Sequence, residues 1–113
     1  MTTHADAALR FLRALERGDH DAASAAVSPE VPADAMSPTR LRDVWAQLLG
    51  HLGALLSLDP IDVVIDQGRH VADCAARFVR SEVTLRVVLD DGARVVGFWA
   101  TPPRAPAYDP PPY

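Results

Sequence analysis

Apolar residues recur every three or four positions in the N-terminal half of the chain, which is the spacing of amphipathic helices. The first such stripe predicts a helix over 5–15. Thr3 and Asp6 stand where they can cap its start, and Gly18 suits the left-handed position after its end. The chain therefore opens with a helix whose two ends are both marked in the sequence.

Two further helices follow the first. Asp19 can cap a short second helix, which Pro29 must terminate because proline disfavours helical geometry in the residue before it. The third helix begins at the cap residue Ser37, with Pro38 at its first position, and Gly53 closes it. Its apolar stripe is the most regular in the chain and consists of Leu41, Val44, Trp45, Leu48, Leu49 and Leu52.

After Leu55 the period changes to two and β-branched residues dominate, which is typical of strands. This alternation predicts four strands, near 56–66, 70–80, 82–90 and 93–100. Their short connections indicate antiparallel neighbours, because a parallel crossover needs a dozen residues or more. The sequence thus predicts one α+β domain over 1–101, with N-terminal helices packed on a curved four-stranded antiparallel sheet, and a Pro-rich tail over 102–113.

The register of the last hairpin depends on the length of its Asp91-Gly92 turn. With a two-residue loop, the side chains that join Leu85 and Val87 on the helix-facing side are Val96, Phe98 and Ala100. With a three-residue loop, they are Val95, Gly97 and Trp99. Because a shift of one residue turns every side chain to the other face, the sequence leaves both registers open.

Composition narrows the classes of partner and compartment. The chain has 113 residues and a net charge of −4, with scattered basic residues, which argues against nucleic-acid binding. No apolar run approaches the roughly 18 to 20 residues of a membrane span, and the N-terminus does not resemble a signal peptide. Cys74 is the only cysteine, so no internal disulfide can form. We therefore expect a cytoplasmic protein.

Three stretches carry a family resemblance: "ALRFLRALERGDHDAASAAVSP", "LRDVWAQLLGHLGAL" and "VTLRVVLDDGARVVGFWATP". They resemble a small bacterial domain of unknown function with a nuclear-transport-factor-2-like (cystatin-like) α+β fold, which is found upstream of α/β-hydrolase domains or alone. The resemblance implies a cone-shaped fold and an accessory role beside a hydrolase partner or domain. It also implies that a segment like "YDPPPY" leads into that hydrolase.

The helix-facing side of the predicted sheet defines a candidate pocket. Its predicted lining includes Phe11, Trp45, Leu49, Cys74, Phe78, Arg80 and Leu85. Trp45 is expected to be buried between the third helix and the sheet. The acids Asp62, Asp66 and Asp73 occupy the alternate strand positions, whose side chains point away from the helices, and we expect them to be solvated there. No inward acid, serine elbow or histidine spacing indicates a catalytic residue, a metal ligand or a cofactor site.

These observations favour a non-catalytic accessory or oligomerisation domain. The alternative is a small-molecule-binding protein, or an isomerase or hydrolase of the cone fold, that uses the pocket between helices and sheet. That alternative requires a buried carboxylate or histidine beside the cavity.

The outer side of the predicted sheet is more apolar than a solvated face should be. Its candidate interface residues are Val64, Arg77, Val79, Arg86, Val88 and Trp99. Apolar anchors within a charged frame are typical of protein interfaces, so we expect a homodimer through this face. A second solution is that the C-terminal tail, with Tyr108 and Tyr113, covers the same face within one chain.

Overall fold

The computed structural model describes residues 3–101, and in this part of the chain three helices precede five strands. The helices are α1 (His4–Glu16), α2 (His20–Ala25) and α3 (Pro38–Leu52). The strands are β1 (Leu55–Leu58), β2 (Asp62–Asp66), β3 (Arg69–Phe78), β4 (Glu82–Leu89) and β5 (Val95–Thr101). All of them belong to one antiparallel sheet, so the predicted α+β class is confirmed. The predicted tail lies outside the described residues.

The helix ends form where the sequence marks them. The Thr3 hydroxyl accepts a hydrogen bond from the Asp6 amide at 3.0 Å, and the Asp6 carboxylate accepts one from the Thr3 amide. This reciprocal capping box satisfies two amides that the first turn of α1 leaves without helical partners. Asp19 and Ser37 cap α2 and α3 through one bond each, since their side chains accept hydrogen bonds from the Ala22 and Arg40 amides. Gly53 ends α3 with a φ of 83°, which favours glycine.

The sheet has the order β1-β3-β4-β5, and β2 also pairs with β3. β3 accommodates both partners because β1 pairs near its end at Phe78 and β2 near its start at Arg69. The prediction of one continuous strand over 56–66, and hence of four strands, is wrong in that detail. Pro60 lies within that range and has no amide hydrogen for a strand ladder, so the chain forms β1 and β2 instead.

The β4–β5 hairpin combines the two registers that the sequence left open. Its turn is a three-residue loop, closed by a hydrogen bond from the Asp90 amide to the Arg94 carbonyl at 2.9 Å. This loop turns Val95 toward the helices, as expected for three residues. A β-bulge opposite the end of β4 then shifts the pairing by one residue. Beyond the bulge, Phe98 and Ala100 face the helices, as expected for a two-residue loop.

The segment after α2 accounts for the bulge. The Val95 amide donates to the Ala26 carbonyl at 2.9 Å, and the Val95 carbonyl accepts from the Ser28 amide at 2.8 Å. These bonds hold the start of β5 beside this segment and leave Val95 only 1% exposed. Pairing with β4 therefore resumes only after one extra residue in β5.

The hydrophobic core lies between the helices and one side of the curved sheet. From α1, the Phe11 ring meets Phe98 edge-on, with ring centroids 5.4 Å apart. From α3, Trp45 is 6% exposed and its ring centroid lies 6.3 Å from that of Phe78. Trp45 is therefore buried, as predicted. Each fully buried side chain of this size contributes about 1.5–3 kcal/mol of hydrophobic free energy.

Candidate functional site

The side chains predicted to line an inner pocket pack together as the core. Those that are fully or almost fully buried are Phe11, Trp45, Cys74, Phe78 and Leu85, and the partly buried Leu49 packs against them. Arg80 does not join this group. It lies at the surface, where its guanidinium donates to the Gly50 carbonyl at 3.1 Å. Arg80 thus satisfies a carbonyl in the last turn of α3.

Cys74 is fully buried within this core. Its thiol Sγ lies 3.0 Å from the Asp59 carbonyl oxygen, to which it donates a hydrogen bond. Burial, and secondarily the negative charge of Asp59, raises the pKa of the Cys74 thiol above its ordinary value. A protonated and inaccessible thiol is a poor nucleophile, so Cys74 acts as a small core residue.

The three strand acids face away from the core, as their parity predicts, but they differ in burial. Asp62 and Asp66 are exposed, whereas Asp73 is only 6% exposed. Arg86 on the neighbouring strand donates to both carboxylate oxygens of Asp73, at 2.8 Å from Nε and 3.0 Å from Nη2. These bonds raise the pKa of Arg86 above its ordinary value, so the guanidinium stays charged. The expectation that Asp73 is solvated is therefore wrong.

Apolar residues form a row across the outer side of the sheet. The cross-strand register places Val64 beside Val71, Val71 beside Val88, and Val88 beside Gly97. We call the three valines the valine row. The next row along the strands contains Asp73, Arg86 and Trp99 as neighbours.

Trp99 extends the valine row. Its indole lies back over Gly97, since a Cβ added to Gly97 would stand only 2.7 Å from Cζ3 of the indole. The missing side chain at Gly97 therefore makes room for the ring. Trp99 is 45% exposed and Val64 is 44% exposed, so large apolar surfaces remain open at both ends of the row.

The structure brings four of the six predicted interface residues together. Val64 and Val88 belong to the valine row, and Arg86 and Trp99 occupy the adjoining row. The other two, Arg77 and Val79, lie toward and beyond the C-terminal end of β3. Arg77 faces the same side but pairs with Glu82 at 3.8 Å. Val79 follows the end of β3, where it packs against Gly53.

Val71, Asp73 and Thr84 lie on this face but were not among its six predicted interface residues. Thr84 is 3% exposed, and its carbonyl accepts a hydrogen bond from the Thr101 hydroxyl at 3.4 Å. Parity along each strand identified the side on which these residues lie. Only the cross-strand register identifies their neighbours, and that register depends on a bulge and on tertiary contacts.

Two histidines, His4 of α1 and His70 of β3, lie together on the helix-facing side of the sheet. The rings of His4 and His70 stack with centroids 3.6 Å apart, and His70 Nε2 lies 3.4 Å from an Asp91 carboxylate oxygen. Over residues 3–101, no group of three or more histidine, cysteine or acidic side chains is arranged to hold a metal ion. Within the same range, no helix has the length and apolarity needed to cross a membrane.

No protein-family model matches this chain, and no curated protein is detectably similar to it in sequence.

Proposed function

We propose that this protein is a non-catalytic accessory domain that forms a homodimer through the outer side of its sheet. One observation carries the proposal: the valine row and the Trp99 indole form a continuous apolar strip on a face that the helices of the same chain do not cover. In an antiparallel sheet with one solvated side, that side is normally polar.

The size of the face fits a weak dimer. Four strands at about 4.8 Å spacing, and the length of a ten-residue strand such as β3, give a face of roughly 15 by 33 Å. Two such faces bury on the order of 1,000 Å² in total, which is near the lower limit for a specific interface. The dimer is therefore expected to dissociate on dilution.

The charges of the face favour a second copy over a strongly charged partner. Acids and bases occur together on it, with Asp62 and Asp66 on β2, Arg77 on β3 and Arg86 on β4. A two-fold axis through the face brings different parts of the same surface together, so an acid of one copy can meet a base of the other. The face thus carries charges of both signs, although its acids, which also include Asp73 and Glu82, outnumber these two arginines.

The competing interpretation, a small-molecule-binding protein or cone-fold enzyme, draws no support from the core. The side chains that would line its pocket pack against one another there. The resemblance in sequence supports an accessory role, and a hydrolase partner or domain is part of this proposal on that ground alone.

Two adjacent residues of β2 provide the test and its control. Val64 and Ile65 are both exposed, at 44% and 71%, but successive strand residues point to opposite sides of the sheet. We expect Val64→Asp to make the chain monomeric in sedimentation velocity, because it places a charge in the apolar strip. Ile65→Asp should leave the dimer intact. Equal sedimentation of the two variants would contradict the proposal.

A further inference from the structure

We propose that the two-fold axis of the dimer runs along the strands, between β3 and β4, so that Arg77 of each copy pairs with Glu82 of the other. The axis exists only if the chain forms the dimer proposed above, so its assignment rests on that proposed function. The basis is the register of β3 and β4. Their cross-strand neighbours on the outer side are Val71 and Val88, Asp73 and Arg86, Ala75 and Thr84, and Arg77 and Glu82.

A two-fold axis that relates two facing sheets lies in the plane between them, because it must turn one sheet over onto the other. Packed sheets commonly keep their strands within about 30° of each other, which an axis along the strands allows. An axis between β3 and β4 places β3 of one copy over β4 of the second copy. Each residue near the axis therefore faces the copy of its own cross-strand neighbour.

The charged neighbours on β3 and β4 have opposite signs. Arg77 lies 3.8 Å from Glu82, and Arg86 donates to both carboxylate oxygens of Asp73. Under this axis each of these acids faces a base of the second copy. The side chains of Arg77 and Glu82 are 68% and 46% exposed, whereas that of Asp73 is only 6% exposed. Arg77 and Glu82 are therefore the residues expected to form ion pairs between the copies.

The apolar strip covers itself under the same axis. The valine row begins at Val64 on β2, crosses β3 and β4, and reaches Gly97 on β5. Reversing the row places Val71 over Val88 of the second copy, and Val64 over Gly97, where the Trp99 indole lies. The two exposed ends of the strip, Val64 and Trp99, thus bury each other.

An axis across the strands would bring like charges together on β2. It keeps each strand over its own copy. If it runs through the valine row, it places Asp62 over Asp66 of the second copy, because these acids lie on either side of Val64. Like charges that meet across an interface oppose association. The axis along the strands instead places Asp62 at the Trp99 end of the second copy's row, away from its acids.

Charge reversal in a mixture of two variants is the test. Arg77→Glu and Glu82→Arg each bring like charges together at both symmetry-related contacts, so each variant alone should dimerise about tenfold more weakly than the unaltered chain. In the mixture, each position 77 meets an opposite charge at position 82 of the other variant. The mixture should therefore favour heterodimers, which native mass spectrometry separates from homodimers. The pair within each chain stays broken, so only contact between the copies can restore association.

Arg42→Glu and Asp43→Arg are the matched control, because Arg42 and Asp43 form an exposed ion pair on α3, 3.3 Å apart. Each should dimerise like the unaltered chain, and their mixture should pair at random. If the unaltered chain dimerises but the mixture of Arg77→Glu and Glu82→Arg also pairs at random, this axis is wrong and the proposed dimer stands. If the unaltered chain stays monomeric in light scattering, both the axis and the proposed dimer are wrong.

Discussion

Arg86 holds Asp73 by two hydrogen bonds, of 2.8 and 3.0 Å, on the outer side of the sheet. The side chain of Asp73 is 6% exposed and that of Arg86 is 36% exposed, so the carboxylate is the more deeply buried partner. A buried carboxylate that loses its partner keeps its desolvation cost. The pair is therefore a structural requirement of this face, beside the strip through which we propose the chain dimerises.

Replacing Arg86 tests this requirement. We expect Arg86→Met to lower the free energy of unfolding by about 1–3 kcal/mol, less than for a fully buried pair because Arg86 is partly solvated. Urea denaturation at neutral pH measures the change. The exposed pair of Arg42 and Asp43 provides the control, and Arg42→Met should change stability by less than about 0.5 kcal/mol. Similar losses in the two variants would show that the pair of Arg86 and Asp73 contributes no more to the free energy of unfolding than an exposed ion pair does.

The two tryptophans offer a second comparison, since Trp45 is 6% exposed and Trp99 is 45% exposed. We expect Trp45→Ala to cost about 3–5 kcal/mol, because it leaves a cavity between α3 and the sheet. For a domain this small, that is a large share of the total stability. Trp99→Ala should cost far less when unfolding is measured at low protein concentration. A Trp45→Ala variant that keeps its Tm would contradict the burial of this ring.

Gly97 tests the position of the Trp99 indole. An added Cβ would stand 2.7 Å from the ring, so Gly97→Ala should displace the indole and weaken self-association. Gly50 is the matched control, because apart from its chain neighbours and the nearby helix backbone no atom lies within 4 Å of the Cβ that alanine would add there. Gly50→Ala should instead stabilise α3, by up to about 1 kcal/mol, with no effect on association. Unchanged sedimentation and tryptophan fluorescence in Gly97→Ala would place the ring elsewhere.

Cys74 makes stability depend on pH in the alkaline range. Burial raises the pKa of its thiol in the folded state, so the folded state binds this proton more tightly than the unfolded state does. Its contribution is complete below the unfolded thiol pKa, which is about 8.5, and is lost as the pH rises through the higher folded value.

We therefore expect the stability difference between the unaltered chain and Cys74→Ala to shrink between neutral pH and about pH 10. Urea denaturation of both proteins at each pH gives this difference, and all other titrating groups cancel in it. A difference that stays constant or grows would contradict a raised thiol pKa.

Local signals made most of the fold predictable from the sequence. The reciprocal bonds of Thr3 and Asp6 lie within one helical turn, and Ser37 likewise acts on the turn that follows it. The break between β1 and β2 also has a local cause in Pro60, although the alternation on both sides of it suggested one strand.

The remaining features depend on contacts between distant segments. The bulge in β5 follows from bonds between Val95 and the residues after α2, which are far away in sequence. The burial of Asp73 depends on Arg86, which becomes its neighbour only through the register of β3 and β4. Periodicity identifies the side on which a residue lies but not its neighbours, so the candidate face could be predicted only in part.

Light scattering of the full chain over a concentration series tests the central claim most directly. One chain has a mass of 12.2 kDa, so the proposed dimer has twice that mass. We expect the measured mass to rise from the monomer value toward the dimer value as the concentration increases to about 100 µM, since the face is near the lower size limit for a specific interface. A mass that stays at the monomer value across the series would contradict dimerisation through the outer side of the sheet.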